Sequence, residues 1–408
     1  MKILYLHQYF ATPNSNAGTR SYEMAKRLTA NGHEVTFVTS SAYLMQEYTF
    51  SKGWNYLEIE GIKLHILHLP YSNKDAFVKR ILKFLRFSYA STIKALQVPV
   101  DVVFATSTPL TIAIPGLIHS KLKKVPMVFE VRDLWPELPV AVGAIKNPVI
   151  IKLAQWFEKY TYLNSTKLIG LSPGMCEGIL KHGVASEDVY LATNSCDVSL
   201  FNVESTVGEK YIKSRLPFLR ARKLVVYTGT FGLINDVNYL VDLAAAMKKI
   251  DRNICFVAAG DGMQKEAIIQ KAKSRNVYEE NLYFLDPVPK TEIVSLLSAA
   301  DLSLSLFGPV EEMWHNSANK LFDALASGTP VCINYRGWQK EVIEESNCGI
   351  VLNRESIDDD GQTISNFLTD DYRYQLAKKQ CFHLSNNVYS RDIMALQVEK
   401  ALQEAVDA

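Results

Sequence analysis

A lysine and a carboxylate three residues apart mark the segment Asn316–Thr329, NSANKLFDALASGT. The pattern predicts a loop that enters a short helix ending at Gly328. Unpaired N–H groups and the positive dipole end of a helix N-terminus suit a phosphate, which Lys320 could also meet. Asp323 lies one turn further on, where a carboxylate can accept both hydroxyls of a ribose. The segment therefore predicts nucleotide recognition. The alternative is an ordinary amphipathic helix with its apolar residues turned inward.

Glycine-containing loops follow three predicted strands. Gly18 lies in the long loop before the first predicted helix, and the sequences YTGTFG and AAGDG stand at Tyr227–Gly232 and Ala258–Gly262. Glycine near a helix N-terminus lets backbone amides approach a phosphate or a sugar closely. The first loop is not a GxGxxG fingerprint, which disfavours a dinucleotide cofactor. The alternatives are a plain surface loop and, at Asp261, a simple helix cap.

Charged and aromatic residues crowd the end of another predicted strand, in FEVRDLWPELP at Phe129–Pro139. Such residues are common at carbohydrate sites, because an aromatic face stacks on C–H bonds while charges hold hydroxyls or phosphate. Arg132, Asp133, Trp135 and Glu137 are the candidates. The alternative is an Arg132–Asp133 ion pair with Trp135 packed in the core.

Strand and helix patterns alternate along almost the whole chain. Buried parallel strands are predicted at 2–6, 34–39, 102–106, 127–131, 168–171, 224–228, 254–259, 282–285, 302–306 and 330–334. Helices are predicted between them, for example at 21–30, 236–249, 263–274 and 290–299. This alternation predicts an α/β fold with two Rossmann-like, doubly wound domains whose strand ends face one interdomain cleft.

The predicted boundaries follow from a polar, irregular stretch in the middle of the chain. We expect an N-terminal Rossmann-like domain over 1–201, a linker over 202–222 and a C-terminal Rossmann-like domain over 223–385. The remaining residues, 386–408, predict a long helix from about 390 to 406 that packs back on the first domain.

Length and composition limit the class of protein. A chain of 408 residues exceeds one ordinary core. Its formal net charge of +1 does not suggest a nucleic-acid partner. The six cysteines form no CxxC pair, which argues against zinc and disulfides and fits a reducing cytosol. The N-terminus lacks a signal-peptide pattern, and the longest apolar region is interrupted by charge and proline.

Basic and bulky apolar residues occur together from Lys74 to Leu96, KDAFVKRILKFLRFSYASTIKAL. This combination is typical of an interfacial helix on an anionic membrane. The alternative is a domain helix with an apolar face in the core and solvated charges. Membrane contact here predicts a peripheral protein on the inner face of the cytoplasmic membrane.

Taken in order, these segments resemble the GT-B fold glycosyltransferases of the family 4 type. The similarity is greatest to bacterial enzymes that build O-antigen or capsule repeat units, including the N-acetyl-L-fucosamine transferases. The segments that carry it span nearly the whole chain: KILYLHQYF, NAGTRSYEMAKRLTANGHEVTFVTS, FEVRDLWPE, GLSPGM, NSCDVSLF, YTGTFG, AAGDG, LYFLDPVPKTEI and NKLFDALASGTPV.

The resemblance implies a nucleotide-sugar donor, UDP-linked and carrying an N-acetylated deoxyhexosamine, and a lipid-linked saccharide acceptor. It implies that the anomeric configuration is retained and that no cofactor or metal is needed. It assigns the donor to Gly18, Thr230, Gly232, Gly262, Pro287, Val288, Asn319, Lys320 and Asp323. It assigns the acceptor to Asn16, Arg20, Trp135 and Glu137, and catalysis to Arg132, Asp133 and Lys320.

The chain departs from the family pattern around the diphosphate. Two glutamates eight positions apart are common in the family, but His315 and Asp323 stand there. Phe231 and Asn235 or Asp236 replace an arginine and a lysine after the phosphate glycines. The remaining candidates to neutralise the diphosphate are Lys320, Arg132 and Arg20. A DxD-type metal pair is not in place, since the aspartates at 358–360 are predicted to lie in a polar loop.

Two other functions fit the same architecture. A nucleotide-sugar 2-epimerase would share the nucleotide site but would need neither an acceptor nor the basic apolar helix. A non-catalytic nucleotide-binding scaffold of an assembly complex would fit the missing arginine and lysine.

Overall fold

The computed structural model describes residues 1–15, 17–45, 47–70, 77–204, 206–219 and 222–408, without the side chains of 77 and 78. These residues form two compact units. The first unit contains Met1–Asn194, His315–Ser317 and Arg391–Ala408, and the second contains Ser195–Trp314 and Ala318–Ser390.

The first unit is built on a sheet with the strand order β3-β4-β2-β1-β5-β6-β7-β8 among the described residues. All neighbours pair in parallel except β3 and β4. The strands are β1 (Lys2–Leu6), β2 (Glu34–Ser40), β3 (Trp54–Ile59), β4 (Ile62–Leu67), β5 (Val102–Thr106), β6 (Met127–Val131), β7 (Lys167–Gly170) and β8 (Val189–Leu191).

The second unit carries a parallel sheet with the order β11-β10-β9-β12-β13-β14 in the described chain. Its strands are β9 (Lys223–Thr228), β10 (Ile254–Ala259), β11 (Leu282–Leu285), β12 (Leu302–Ser305), β13 (Val331–Ile333) and β14 (Gly349–Val351). The order changes direction between β9 and β12, and ligands of doubly wound folds bind at such a point.

Helices cover both sheets. Those of the first unit are α1 (Arg20–Ala30), α2 (Phe77–Ala95), α3 (Ala113–Lys123), α4 (Glu137–Ala141), α5 (Pro148–Leu163), α6 (Pro173–Leu180) and α16 (Arg391–Asp407). Those of the second are α7 (Val198–Phe201), α8 (Thr206–Arg215), α9 (Val237–Ile250), α10 (Lys265–Ser274), α11 (Lys290–Ser298), α12 (Asn319–Ser327), α13 (Trp338–Ser346), α14 (Ile357–Thr369) and α15 (Asp371–Asn387).

Side-chain alternation along the strands creates two cores in the first unit. In β1, Ile3 and Tyr5 join the core with α1 and α16, whereas Leu4 and Leu6 join the core with α2, α3 and α5. Successive strand residues point to opposite faces, so a strand buried on both sides is apolar throughout. This is why the parallel strands could be located from short apolar runs.

The structure corrects several predictions. The stretch 202–222, predicted to be an irregular linker, contains α8, and the first unit ends at Asn194 rather than at 201. Asp358, Asp359 and Asp360 form the first turn of α14 instead of a polar loop. Buried Asp360 accepts hydrogen bonds from the Tyr239 hydroxyl and from two backbone N–H groups.

The predicted basic apolar helix corresponds to α2, which begins at Phe77. Lys74, at the start of the predicted segment, lies outside the described residues. Of the helices that the structure describes, none has both the length and the apolar character required to cross a bilayer.

Candidate functional site

Two glycine loops meet where the sheet order of the second unit changes direction. The Gly229 N–H donates to the Ala259 carbonyl at 2.9 Å, and the Phe231 N–H donates to the Asp261 carbonyl at 2.9 Å. A Cβ atom at Gly260 would lie 1.8 Å from the Gly229 carbonyl oxygen. The loops after β9 and β10 can therefore approach this closely only because residue 260 has no side chain.

Lys320, in the first turn of α12, extends to the first of these loops. A Cβ atom at Gly229, which has a φ of +146°, would lie 2.6 Å from the Lys320 Cε atom. The Lys320 ammonium lies 5.3 Å from the centre of the Tyr227 ring and 5.7 Å from that of Phe307. Aromatic faces attract a cation at these distances. Lys320 is thus held beside the loop that the sequence assigns to a diphosphate.

The environment of Lys320 changes its acidity. Burial lowers the pKa of Lys320 to about 8, although the negative charge of Asp323 acts in the opposite direction. An ammonium group in a poorly solvated site is stabilised by an arriving anion. A diphosphate bound here would therefore restore the preference of Lys320 for its charged form.

Asp323 is buried on the next turn of α12 and forms an ion pair. Its Oδ2 atom accepts a hydrogen bond from the Lys290 ammonium, at the start of α11. Lys290 also lies 5.4 Å from the centre of the Phe201 ring. Sequence reasoning missed Lys290, because nothing in its neighbours predicts a partner 33 residues away on another helix.

The other predicted donor residues occupy loops of the second unit. Thr230 is exposed, and its carbonyl accepts the Tyr227 hydroxyl at 2.9 Å. A Cβ atom at Gly262 would lie 2.5 Å from the Phe231 carbonyl oxygen. Gly232 is half-buried in the loop after β9. Asn319 is exposed at the start of α12.

The stretch predicted to meet the base precedes α11. Pro287 is exposed and Val288 is half-buried, and both stand shortly before Lys290. The Lys290–Asp323 ion pair therefore connects the segment after β11 to the predicted ribose residue on α12.

Asp236, which with Asn235 is one of the two candidate positions for the lysine of the family pattern, forms an ion pair with an arginine. Arg354 donates from Nη2 to the Asp236 carboxylate at 2.7 Å and from Nη1 to the Phe307 carbonyl at 2.8 Å. Its guanidinium lies 4.8 Å from the centre of the Tyr239 ring. This arginine comes from the loop after β14, so a motif centred on the phosphate glycines could not reveal it.

His315, which replaces a common glutamate, belongs to the first unit and packs on the GLSPGM segment. A Cβ atom at Gly174 would lie 1.9 Å from the His315 Nδ1 atom. The segment just after His315 is fixed too, because the side-chain amide of Asn194 donates a hydrogen bond to the backbone carbonyl of Ser317 at 2.6 Å. Glycine at 174 thus makes room for the imidazole ring.

Arg20, predicted to contact the acceptor, is instead committed to the interior of the first unit. Its guanidinium forms an ion pair with Glu130 at 2.7 Å and donates to the carbonyls of Ala192 and Thr193 at 2.8 and 2.5 Å. Both side chains are buried. Arg20 therefore stabilises the interior of the first unit in this structure, and its assignments as an acceptor contact and as a diphosphate cation stay predictions.

Glu130 is ionised because of that pair. Burial alone would raise the pKa of Glu130, but the charge and hydrogen bonds of Arg20 hold that pKa below its ordinary value. Arg132 and the Thr106 hydroxyl act in the same direction. The carboxylate and the guanidinium are thus an internal pair at the end of β6.

Arg132 and Asp133 lie next to this pair but do not bond to each other within the described chain. The Arg132 Nη1 atom lies 3.4 Å from the Nε2 atom of buried His7. Burial and the charge of Arg132 hold the pKa of His7 well below its ordinary value. Since an arginine can only donate, Nε2 accepts and the His7 proton is on Nδ1, 2.7 Å from the Ser21 hydroxyl.

Asp133 is held by Thr108, whose hydroxyl donates to Oδ2 at 2.7 Å. Burial raises the pKa of Asp133, although this hydrogen bond and the charge of Arg132 lower it. The predicted alternative of an Arg132–Asp133 ion pair is therefore wrong for the described residues. The two side chains have separate partners.

The remaining first-unit predictions differ in exposure. Trp135 is half-buried against the core beneath α5, and Glu137 is exposed at the start of α4. Gly18 is exposed in the loop before α1. Asn16 lies outside the described residues. In the part of the chain that is described, no three metal-ligating side chains cluster.

Comparisons with known proteins agree with this architecture. The model of the glycosyl transferase 4-like domain matches residues 17–194, and that of the glycosyl transferases group 1 matches residues 222–370. The putative colanic acid biosynthesis glycosyl transferase WcaI of Escherichia coli (strain K12) is 22% identical over 316 residues. That match covers 74% of this chain and 76% of the relative.

Solved structures share the fold at low sequence identity. Anabaena Alr3699/HepE in complex with UDP-glucose superposes with a TM-score of 0.71 at 14% identity, covering 99% of this chain and 100% of that one. WaaG, a glycosyltransferase involved in lipopolysaccharide biosynthesis, gives 0.66 at 16% identity, covering 98% of each chain.

Proposed function

The chain belongs to the GT-B glycosyltransferases of the family 4 type, and on that basis we propose that it transfers a sugar from a UDP-linked donor to a lipid-linked saccharide acceptor. The product would belong to a bacterial surface polysaccharide, as colanic acid does for the relative WcaI. The transferred sugar is an N-acetylated deoxyhexosamine, following the resemblance of the motifs.

One observation carries the donor assignment. Lys320, the Gly229 loop and the Gly260 loop converge at the switch point of the second sheet, with Asp323 one helical turn away. Glycine loops supply backbone N–H donors, a lysine supplies charge, and a carboxylate suits a ribose. The complexes of Alr3699/HepE with UDP and UDP-glucose favour uracil as the base of the donor.

The reaction that fits this site needs no protein nucleophile. The departing diphosphate takes the proton of the acceptor hydroxyl while Lys320 and the α12 N-terminus stabilise its charge. The sugar keeps its anomeric configuration, and a metal is not required. Arg132 and Asp133 remain the proposed catalytic residues of the first unit, and Trp135 and Glu137 remain the proposed acceptor contacts.

A lipid-linked acceptor requires access to a bilayer, and the first unit has a surface that suits one. We use "the three-helix face" for the outer side of α2, α3 and α5, which pack on the same side of the sheet. Apolar side chains on all three helices are largely exposed: Leu82 by 61%, Leu122 by 67% and Trp156 by 61%. Exposed apolar surface of this kind marks an interaction site.

The charges on these helices select an anionic partner. Together α2, α3 and α5 carry nine lysine and arginine residues and one carboxylate, Glu158, which is buried. The whole chain, in contrast, has 44 basic and 43 acidic residues. Such segregation of positive charge beside apolar residues is expected at a membrane of anionic lipids.

The details of α5 support a bilayer over a protein partner. Val149, Leu153, Trp156 and Leu163 are exposed at helical spacing, so they share one face. The Trp156 ring stacks on Tyr160 with centroids 5.4 Å apart, and Lys121 of α3 lies 4.7 Å from the Tyr160 ring centre. Aromatic rings beside lysines are typical of the level of lipid headgroups.

Cosedimentation with vesicles tests the membrane part of the proposal. Trp156→Ala should weaken binding to phosphatidylglycerol vesicles by about tenfold, whereas Tyr372→Ala, which removes another exposed ring, should not. Binding of the wild type should fall with added salt and be weak on neutral vesicles. Equal binding of both variants would contradict the assignment of α5 to the bilayer.

A thermal-shift series tests the donor. The cognate UDP-sugar should raise the melting temperature more than UDP alone, because only the folded protein binds it. Incubation with donor but no acceptor then separates the activities. Interconversion of the free sugar nucleotide would indicate a 2-epimerase, and donor binding with no transfer to any lipid-linked acceptor would indicate a scaffold.

A further inference from the structure

A cavity of about 230 Å³ opens at the carboxyl ends of β12, β13 and β14 in the second unit. In the sheet it lies on the opposite side of β12 from the glycine loops, which follow β9 and β10. Its walls come from the loops after these three strands and from α13. None of the residues that the sequence assigned to the donor lines it.

The floor of the cavity contains an unused hydrogen-bond donor. Asn334 is only 1% exposed, and its Oδ1 atom accepts the Phe307 N–H at 2.9 Å. That bond fixes the amide orientation, because a backbone N–H cannot pair with the amide nitrogen. The Nδ2 atom then has no partner among the described residues. A buried donor without an acceptor is costly, so this position favours a ligand that supplies one.

Cations surround this amide. Arg336, Lys340 and Arg354 line the cavity, together with one carboxylate, Glu344. Lys340 and Glu344 are 3.7 Å apart on α13, and Arg354 is paired with Asp236. Arg336, which stands just before α13, forms no ion pair with any other residue in the described part of the chain. The cavity therefore offers an amide N–H with no acceptor among the described residues and a guanidinium beside it, while its one carboxylate, Glu344, is paired with Lys340.

The size and walls limit the ligand. A volume of about 230 Å³ is below the ~300–1,000 Å³ of pockets for drug-sized molecules. The side chains of Trp314 and Tyr335 supply aromatic surface beside the polar groups. A single sugar ring or a small oxyanion matches this space, whereas a nucleotide does not.

We propose that this cavity binds the oxyanion of a monosaccharide-sized ligand, a phosphate or carboxylate group held by Arg336 and the Asn334 amide. Arginine binds such groups through two parallel hydrogen bonds, which makes it the main anchor. The site is distinct from the proposed donor site and does not depend on that assignment.

The two sites share one residue, Phe307. Its backbone N–H and carbonyl are bound by Asn334 and Arg354 at the cavity, and its ring lies beside Lys320. Occupancy of the cavity thus acts on a residue that supports the diphosphate lysine. An acidic sugar of the acceptor and free inorganic phosphate are the two sources of the oxyanion.

Calorimetric titration of the full chain tests the proposal, with inorganic phosphate, glucose 1-phosphate and glucuronate as separate probes. At least one probe should bind, and saturating UDP should leave that binding in place. Arg336→Gln should weaken it by about tenfold or more, and Asn334→Asp should do the same by placing a second oxygen towards the anion. Comparing the three probes identifies the source.

Lys210→Gln is the matched control, since it removes one positive charge from exposed α8 of the same unit. It should leave the affinity unchanged. Binding that survives in the Arg336 variant but disappears with UDP would place the anion in the donor loops and overturn the proposal. Absence of heat with all three probes at millimolar concentration would also overturn it.

Discussion

Lys320 is the residue on which the proposed donor site depends most. It stands between two aromatic rings and beside a glycine loop, and its burial lowers its pKa to about 8. The sequence predicted its importance from the spacing to Asp323. It could not predict the lowered pKa, which results from the burial of the ammonium group in the folded structure.

UDP binding should therefore take up protons near pH 8. In the protein without ligand, Lys320 loses its proton as the pH rises through about 8. A bound diphosphate favours the charged form of Lys320, so the affinity for UDP should fall above that pH. Calorimetry in buffers with different ionisation heats measures the uptake. Lys320→Arg should retain affinity and lose the uptake, while Lys320→Met should weaken binding roughly 10- to 100-fold. The same proton uptake in all three proteins would contradict this account.

The Asp323 carboxylate should contribute through the ribose hydroxyls. Wild-type protein should bind UDP roughly 10- to 100-fold more tightly than 2′-deoxy-UDP, because the lost hydrogen bond has a charged partner. In Asp323→Ala the two ligands should bind equally. Calorimetric titration of each ligand gives the ratio directly, and Asp261→Ala, in the exposed loop after β10, is the control that should preserve it.

Lys290→Met gives an independent test of the same contact. Its ammonium holds the Asp323 carboxylate, so its loss should reduce the UDP to 2′-deoxy-UDP ratio without removing it. A ratio near one in the wild type would show that Asp323 does not meet the ribose. The sequence could not predict the Lys290–Asp323 ion pair, because the two residues belong to different helices that only the folded structure brings together.

At the scale of elements, α1 and β6 are joined by the buried Arg20–Glu130 pair. The internal pairing of Arg20 was not predicted, because a charged residue next to a candidate site can either contact a ligand or stabilise the interior of the protein. Sequence spacing shows that a loop ends and a helix begins, but not which way the side chain turns. The carbonyls of Ala192 and Thr193, far along the chain, are what draw Arg20 inward.

Breaking this pair on one side should destabilise the protein strongly. Arg20→Met leaves a buried carboxylate unpaired and should lower the free energy of unfolding by about 3–5 kcal/mol. Urea denaturation followed by circular dichroism measures the change. Lys63→Met, which removes an exposed pair with Glu34, should cost far less, because solvent screens an exposed ion pair. Similar losses in both variants would show that Arg20 and Glu130 do not interact as described.

Other elements show where sequence patterns succeed and fail. Strands buried on both faces, such as β1, β5, β6 and β10, were located at the observed bounds because an apolar run leaves little choice. Sequence analysis did not predict the antiparallel hairpin of β3 and β4. Its two-residue turn consists of Glu60 and Gly61, which stand between two alternating runs. Both residues have positive φ, as such a turn requires. The aspartates at 358–360 were placed in a loop, but acidic residues suit the first turn of a helix.

At the scale of the whole molecule, the proposed function divides two tasks between the two α/β units. The second unit holds the glycine loops, Lys320 and Asp323, and the first unit holds the three-helix face and the Arg132–Asp133 segment. The overall amino-acid composition does not reveal the basic surface of the first unit, because the positive charge on α2, α3 and α5 is balanced by acidic residues elsewhere in the chain. The family and fold could be predicted from motif order, whereas the charged surface needed the helix packing.

The most direct test of the central claim is transfer of radiolabelled sugar from a UDP-sugar to a lipid-linked saccharide, measured in the organic phase. Wild-type protein should label the lipid in proportion to time and enzyme. Asp323→Ala should reduce the rate at least tenfold at donor concentrations below the wild-type KM, and Asp261→Ala should not. Equal labelling by the wild type and the Asp323 variant, or labelling by neither with any UDP-sugar, would contradict the claim.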